Sequence, residues 1–117
     1  MNENIIWTVE GKIKEGQTQD MKNLMTEMLV LVNQEEGTLN YQWTLGEDNR
    51  SLQVYERYKD VQATFAHLGT WSKFAGRFTE IVEITRFSIF TDVTPELKEA
   101  VAGLNPVYMK PIGGFAR

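Results

Sequence analysis

The chain has 117 residues, a formal net charge of −4 and no cysteine. That suits one domain with its own core and excludes disulfides, thiol catalysis and cysteine-ligated metal. Its twelve basic residues are scattered without a run, so the electrostatic footprint of a nucleic-acid binder is missing. His67 is the only histidine, which excludes an all-imidazole metal site within one chain. No apolar stretch reaches membrane-spanning length. The opening MNENIIWTVEGKIKEG lacks the marks of a signal peptide. The expectation is a cytoplasmic protein with no membrane or nucleic-acid partner.

Ile5 to Ile13 alternates, with Ile5, Trp7, Val9, Gly11 and Ile13 on one side; period two predicts a strand. Thr18 to Glu36 changes period. Met21, Leu24, Met25, Met28, Leu31 and Val32 form the stripe of an amphipathic helix, and Gly37 stops it. Thr38 to Leu45 and Ser51 to Tyr58 flank the turn cluster GEDNR and predict a hairpin. On its first arm Leu39, Tyr41, Trp43 and Leu45 share a face. Asn40, Gln42 and Thr44 share the other.

Asp60 is a good N-cap for a helix whose core stripe is Val61, Phe65 and Leu68. His67 falls off that stripe, beside Ala63. Gly69 ends the segment, and Trp71 to Val82 continues as a second one. Glu83 to Thr91 predicts a fourth strand, with Ile84 and Phe90 on one face and Phe87 and Ile89 on the other. Thr94-Pro95 opens a further helix carrying Leu97, Ala100, Val101 and Leu104. The closing NPVYMKPIGGFAR is too rich in proline and glycine for a regular element. Its Val107, Tyr108, Met109, Ile112 and Phe115 predict that it packs on something.

The order β-α-β-β-α-β is an α+β, ferredoxin-like arrangement: an antiparallel sheet with helices on one face. Residues 1–93 form that domain, and 94–117 add a helix and a tail packing on it or on a partner subunit. A sheet with one wet face alternates cleanly. Apolar groups on both faces of the third and fourth strands predict that a second copy covers the open face, in a homodimer. A monomer using its C-terminal helix as a lid is the competing arrangement.

EEGTLNYQW and LQVYERYKDVQATFAHLGTWSKF carry a specific string: Glu36-Gly37, Tyr41, Tyr55-Glu56-Arg57-Tyr58, Asp60, Ala63 and His67. Over residues 5–91 the chain resembles the antibiotic biosynthesis monooxygenase family. It departs in having Tyr58 where a tryptophan is usual. The resemblance implies a dimeric α/β-barrel with a cavity between sheet and helices. It further implies oxidation of a small phenolic or quinol-like molecule by dioxygen, without metal, haem or flavin cofactor. Relatives of the fold degrade haem or isomerise sugars, and a non-catalytic ligand-binding dimer is the alternative from another class.

Within that expectation His67 is the candidate base, since imidazole titrates near neutrality, and Glu56 is the group that orients it. Tyr41, Trp43, Tyr58 and Trp71 are candidate walls of a substrate site. Asn40 and Arg86 are candidates to stabilise an oxyanion. Each has a plainer rival. His67 fits a structural hydrogen bond, the aromatics fit a core, and Arg86 fits a cross-sheet ion pair with Glu56 or Glu83.

Overall fold

The computed structural model describes residues 3–117. Its elements run β1 (Ile5–Ile13), α1 (Thr18–Val32), β2 (Thr38–Leu45), β3 (Ser51–Tyr58), α2 (Val61–Trp71), α3 (Ala75–Ile81), β4 (Val82–Ile89), α4 (Pro95–Val101) and β5 (Val107–Tyr108), with a 3-10 turn at Ala102–Leu104 before β5. The sheet order is β2-β3-β1-β4-β5, antiparallel except where β5 joins β4. This is the ferredoxin-like order with one edge strand added.

One face of the sheet is covered. Met21, Leu24 and Met28 of α1 and Phe78 of α3 pack on Ile13, Leu52, Val54 and Val82. At the other end Leu97 and Val101 of α4 join Ile5, Trp7, Tyr58, Phe87 and Ile89. Burying each large apolar side chain contributes about 1.5–3 kcal/mol, so these two clusters carry most of the fold's stability. The C-terminal helix therefore belongs to the covered side and does not close the open face.

Three expectations need correction. Gly69 does not end a helix; α2 runs through it to Trp71, because a glycine costs a helix only about 1 kcal/mol. The closing segment is not wholly irregular: Ser88 and Ile89 pair with Val107 and Tyr108. Met109 still holds to the subunit, its N–H donating to Ile89 O at 2.7 Å, but past it the tail lies exposed, Ile112 at 98% and Phe115 at 80%.

The third correction concerns phase. A bulge shifts the β1–β4 register between Glu10 and Gly11, so that Arg86 faces Glu10 and Ile84 faces Gly11. One extra residue flips the alternation. Val82, Ile84, Phe87 and Ile89 thereby all point to the covered face, not to two faces. Gly11 is required there, since a Cβ would stand 2.5 Å from Val82 Cγ1. The open face carries Gln42, Thr44, Gln53, Tyr55, Arg57, Glu10 and Arg86 in register across β2, β3, β1 and β4, with Ile6 and the exposed Phe90 as an apolar pair at one end. No helix among the described residues is long and apolar enough to cross a membrane.

Candidate functional site

The two apolar clusters leave a cavity of about 50 Å³ between them. Val9, Val54, Phe78 and Phe87 line it, with Leu68 and Trp71 from α2 and Leu104 from the 3-10 turn. Its polar end is built on β3, where strand alternation turns Glu56 inward in the same row as Leu52, Val54 and Tyr58. Tyr41 and Trp7 stand opposite Glu56 on the neighbouring strands.

Glu56 is 4% exposed and His67 4%. A charge so placed costs several kcal/mol unless it is paired and hydrogen-bonded. Here it is. Trp7 Nε1 donates to Glu56 Oε1 at 2.8 Å, the Tyr58 hydroxyl donates to the same oxygen, and His67 Nε2 lies 3.2 Å from it. The other imidazole nitrogen, Nδ1, is 3.0 Å from Glu35 Oε1, which also accepts from the Thr38 hydroxyl at 2.6 Å. His67 thus bridges two carboxylates. Burial pulls its pKa down, but hydrogen bonds and charge from Glu35 and Glu56 outweigh that and raise it from 6.5 to about 9. For Glu35, burial works to raise the pKa. Hydrogen bonds from His67, Thr38 and Thr70 prevail and hold it below the usual carboxylate value. Burial, then the charge of Glu56, push the Tyr41 and Tyr58 phenols up, so both stay protonated donors.

Local packing explains why the groups meet. Asp60 caps α2 by accepting from Ala63 N at 2.9 Å. A Cβ on Gly37 would lie 2.4 Å from the Ala63 Cβ. A bare glycine facing a small alanine lets α2 approach the turn after α1, and His67, one helical turn beyond Ala63, then reaches Glu35. The motif residues Gly37, Asp60, Ala63 and His67 act together as this packing device.

Of the expected site residues, Glu56, His67, Tyr41, Trp43 and Trp71 line the cavity. Tyr58 is fully buried and stands behind Glu56 as its donor. Asn40 pairs with Arg57 in the register, one residue out of phase with Tyr41, and so lies on the opposite face. Arg86 lies there too. Its Nε donates to Ser88 Oγ at 2.9 Å, and it makes no ion pair with Glu56 or Glu83. The Trp43 indole nitrogen is buried without a hydrogen bond of normal geometry, and the Tyr41 hydroxyl beside it is its electrostatic partner; the sequence did not suggest this donor at the cavity. Glu35 is the other unexpected member. Two successive glutamates before Gly37 were visible, but only the turn decides that Glu35 points inward while Glu36 is exposed. Glu35 and Glu56 lie on opposite sides of the imidazole, and among the described residues no three ligating groups converge on one point.

The antibiotic biosynthesis monooxygenase family model matches residues 5–103. The chain belongs to the antibiotic biosynthesis monooxygenase family. The family match extends through α4, beyond the stretch that the motif string covers. No curated protein sequence matches the chain. Among solved structures, MupZ from Pseudomonas fluorescens is similar over 100% of this chain and 91% of its own, with TM-score 0.90 and 18% identity. Rv0793 from Mycobacterium tuberculosis is similar over 78% and 96%, with TM-score 0.65 and 17% identity. SnoaB from Streptomyces nogalater, described as a cofactor-independent oxygenase, is similar over 79% and 95%, with TM-score 0.67 and 10% identity. At these identities the structural likeness carries the fold. The family's name supports a monooxygenase-type activity for its members in general.

Proposed function

We propose that this chain is a cofactor-independent monooxygenase for a small phenolic, quinol-like or otherwise acidic aromatic molecule, working as a homodimer. The observation that carries the reading is an apolar cavity with one polar end, where the Glu56 carboxyl and the His67 imidazole meet. Such a substrate supplies its own electrons once deprotonated. The protein has to remove the proton, hold the anion and exclude water. For an anthrone the balance is simple: the methylene becomes a carbonyl, one oxygen atom enters the product and the other leaves as water. Trp43 is the donor for the developing oxyanion, in place of Asn40 and Arg86, which lie on the other face. Tyr41 and Trp71 form the walls. Membership of the family and the likeness in fold to SnoaB, a cofactor-independent oxygenase, support this reading.

The cavity as it stands is smaller than an aromatic ring, which needs on the order of 150 Å³. Leu68, Trp71 and Leu104, all half-buried, are the walls that must swing aside. The same tightness favours a second reading, a dimer that binds a small ligand without turnover. Haem chemistry fits less well, because both His67 nitrogens already face carboxylates. Oxygen uptake by metal-stripped protein, against hydroquinones, anthrones and phenols, separates the two. Uptake above the spontaneous rate supports the enzyme. Ligand-raised melting temperature with no product supports the binder.

A further inference from the structure

We propose that His67 is a fixed cation, that Glu56 Oε2 is the atom that takes the substrate's proton, and that Glu35 is the positioning residue behind them. The proposal rests on the oxygenase reading above and changes the roles within it.

The first ground is donor bookkeeping at His67. A carboxylate only accepts hydrogen bonds, and neutral imidazole has one N–H. Nδ1 faces Glu35 Oε1 at 3.0 Å and Nε2 faces Glu56 Oε1 at 3.2 Å. The Glu56 oxygen also receives the indole N–H of Trp7, a group that only donates, so that oxygen is an acceptor. A lone pair on either nitrogen would face a carboxylate oxygen, at 3.0 Å in the Nδ1 hydrogen bond and at 3.2 Å in the Nε2 ion-pair contact, so the arrangement favours hydrogen on both nitrogens, an imidazolium. With no lone pair left, it cannot be the base. The charge is kept by its surroundings. Glu35 reaches it from the turn after α1, and Glu56 from β3. Tyr58 of β3 and Tyr41 of β2 face it as neutral rings, with centroids 5.1 and 5.3 Å away.

The second ground is asymmetry at Glu56. Trp7, Tyr58 and His67 all converge on Oε1. Among the described residues no donor reaches Oε2, nor is Oε2 among the fully enclosed unpaired atoms, and Glu56 lines the cavity. One oxygen is braced and the other is open to a substrate. In the step, the substrate's O–H or C–H bond breaks and its proton bonds to Glu56 Oε2. The electron pair stays on the substrate, beside the His67 cation and the Trp43 N–H. The site's total charge does not change, so no charge is created in the low-dielectric cavity.

Because the chain has one histidine, the imidazole nitrogen resonances of labelled protein report His67 without ambiguity. Both nitrogens protonated at pH 7 in the wild type, with the titration midpoint moved down in Glu35→Gln, is the expected result. A neutral ring at pH 7 overturns the proposal, even in an active enzyme. Proton removal is then read without oxygen, as enzyme-dependent exchange of the anthrone methylene in deuterium oxide under anaerobic conditions. Exchange should hold from pH 6 to 8 and fall as His67 loses its proton, with that limb moved to lower pH in Glu35→Gln. Glu56→Gln, which keeps an acceptor for Trp7, should lose about 100-fold or more. Exchange that rises as His67 loses its proton makes His67 the base and overturns the assignment. If the wild type shows neither exchange nor oxygen uptake, the acceptor role falls with the oxygenase reading. The resonances still decide the cation separately.

Discussion

At the scale of single residues the site is a chain of charges, carboxylate, imidazolium, carboxylate, sealed under apolar walls. Its energetics follow from linkage. The pKa of His67 is raised from 6.5 to about 9, so the stability it contributes is fully present below pH 6.5 and is lost as pH rises through 9. The shift corresponds to about 3 kcal/mol. Thermal melts should therefore show the melting temperature falling between pH 7 and 9.5, and in Glu35→Gln that fall should begin at lower pH. Removing the imidazole altogether leaves two buried carboxylates facing each other. His67→Ala should lose about 3–5 kcal/mol in urea titration, which makes isosteric variants the better probes of chemistry. Trp43→Phe removes the indole donor but keeps an aromatic ring. It should keep the fold and lower turnover by about 100-fold, read as kcat at saturating substrate. The sequence made Glu56 and His67 legible because their motif string is specific and Glu56 falls in the inward row of its strand. Glu35 was not legible, because a turn, and no periodicity, decides which of two neighbouring glutamates points inward.

At the scale of elements, two close approaches set the geometry. Gly37 lets α2 settle against the turn after α1, with Ala63 as its contact. Gly37→Ala should push α2 outward, cost about 1–3 kcal/mol and loosen the His67–Glu35 contact, visible as a lower His67 pKa in the nitrogen resonances. A variant with an unchanged titration would show that the approach is not what brings the pair together. The Gly11 bulge does the corresponding work on β4. It is also the reason that strand was misread. Simple alternation put Phe87 opposite Ile84, and one extra residue places both inside and turns Arg86 out. The boundaries of β1, β2 and β3 match expectation, and period-two reasoning succeeds on β1, on β3 and on β2 from Asn40 onward. It fails where a bulge resets the phase, on β4 and at Leu39, which a register shift between Thr38 and Asn40 leaves 42% exposed and out of the row of Tyr41, Trp43 and Leu45. The helix α2 was misread for a different reason. Its apolar stripe is real, but Thr64 and His67 lie deepest, His67 held by the two carboxylates and Thr64 donating to Val61 O of its own helix, and burial of a paired polar group has no signature in hydrophobic spacing.

At the scale of the whole molecule, the sheet has one covered and one open face, and the open face is largely polar. The apolar argument for a dimer therefore weakens, and family membership is what supports a second copy there. The C-terminal extension divides into two parts. Leu97 and Val101 are fully buried, so α4 is part of the core, while the residues past Met109 are exposed and unsupported. Truncation after Met109 should leave the melting temperature of the subunit nearly unchanged. If the tail reaches across to a partner, light scattering after size exclusion should show a weaker dimer. The order of elements through α4 and the fold class were legible from periodicity, but β5 was not, because a two-residue strand among prolines and glycines has no periodicity to read. The position of the last helix was not, because Leu97, Val101 and Leu104 make a stripe that fits either face of the sheet.

The central claim is that this cavity oxidises an acidic aromatic molecule with dioxygen, through Glu56 and without a bound cofactor. The most direct measurement is turnover of an anthrone by metal-stripped protein under ¹⁸O₂, with product mass read for wild type beside Glu56→Gln. One labelled oxygen in the wild-type product, formed faster than in protein-free buffer and lost in the variant, is the result the account predicts. Wild-type product formed no faster than in buffer, or a variant as fast as wild type, would contradict it.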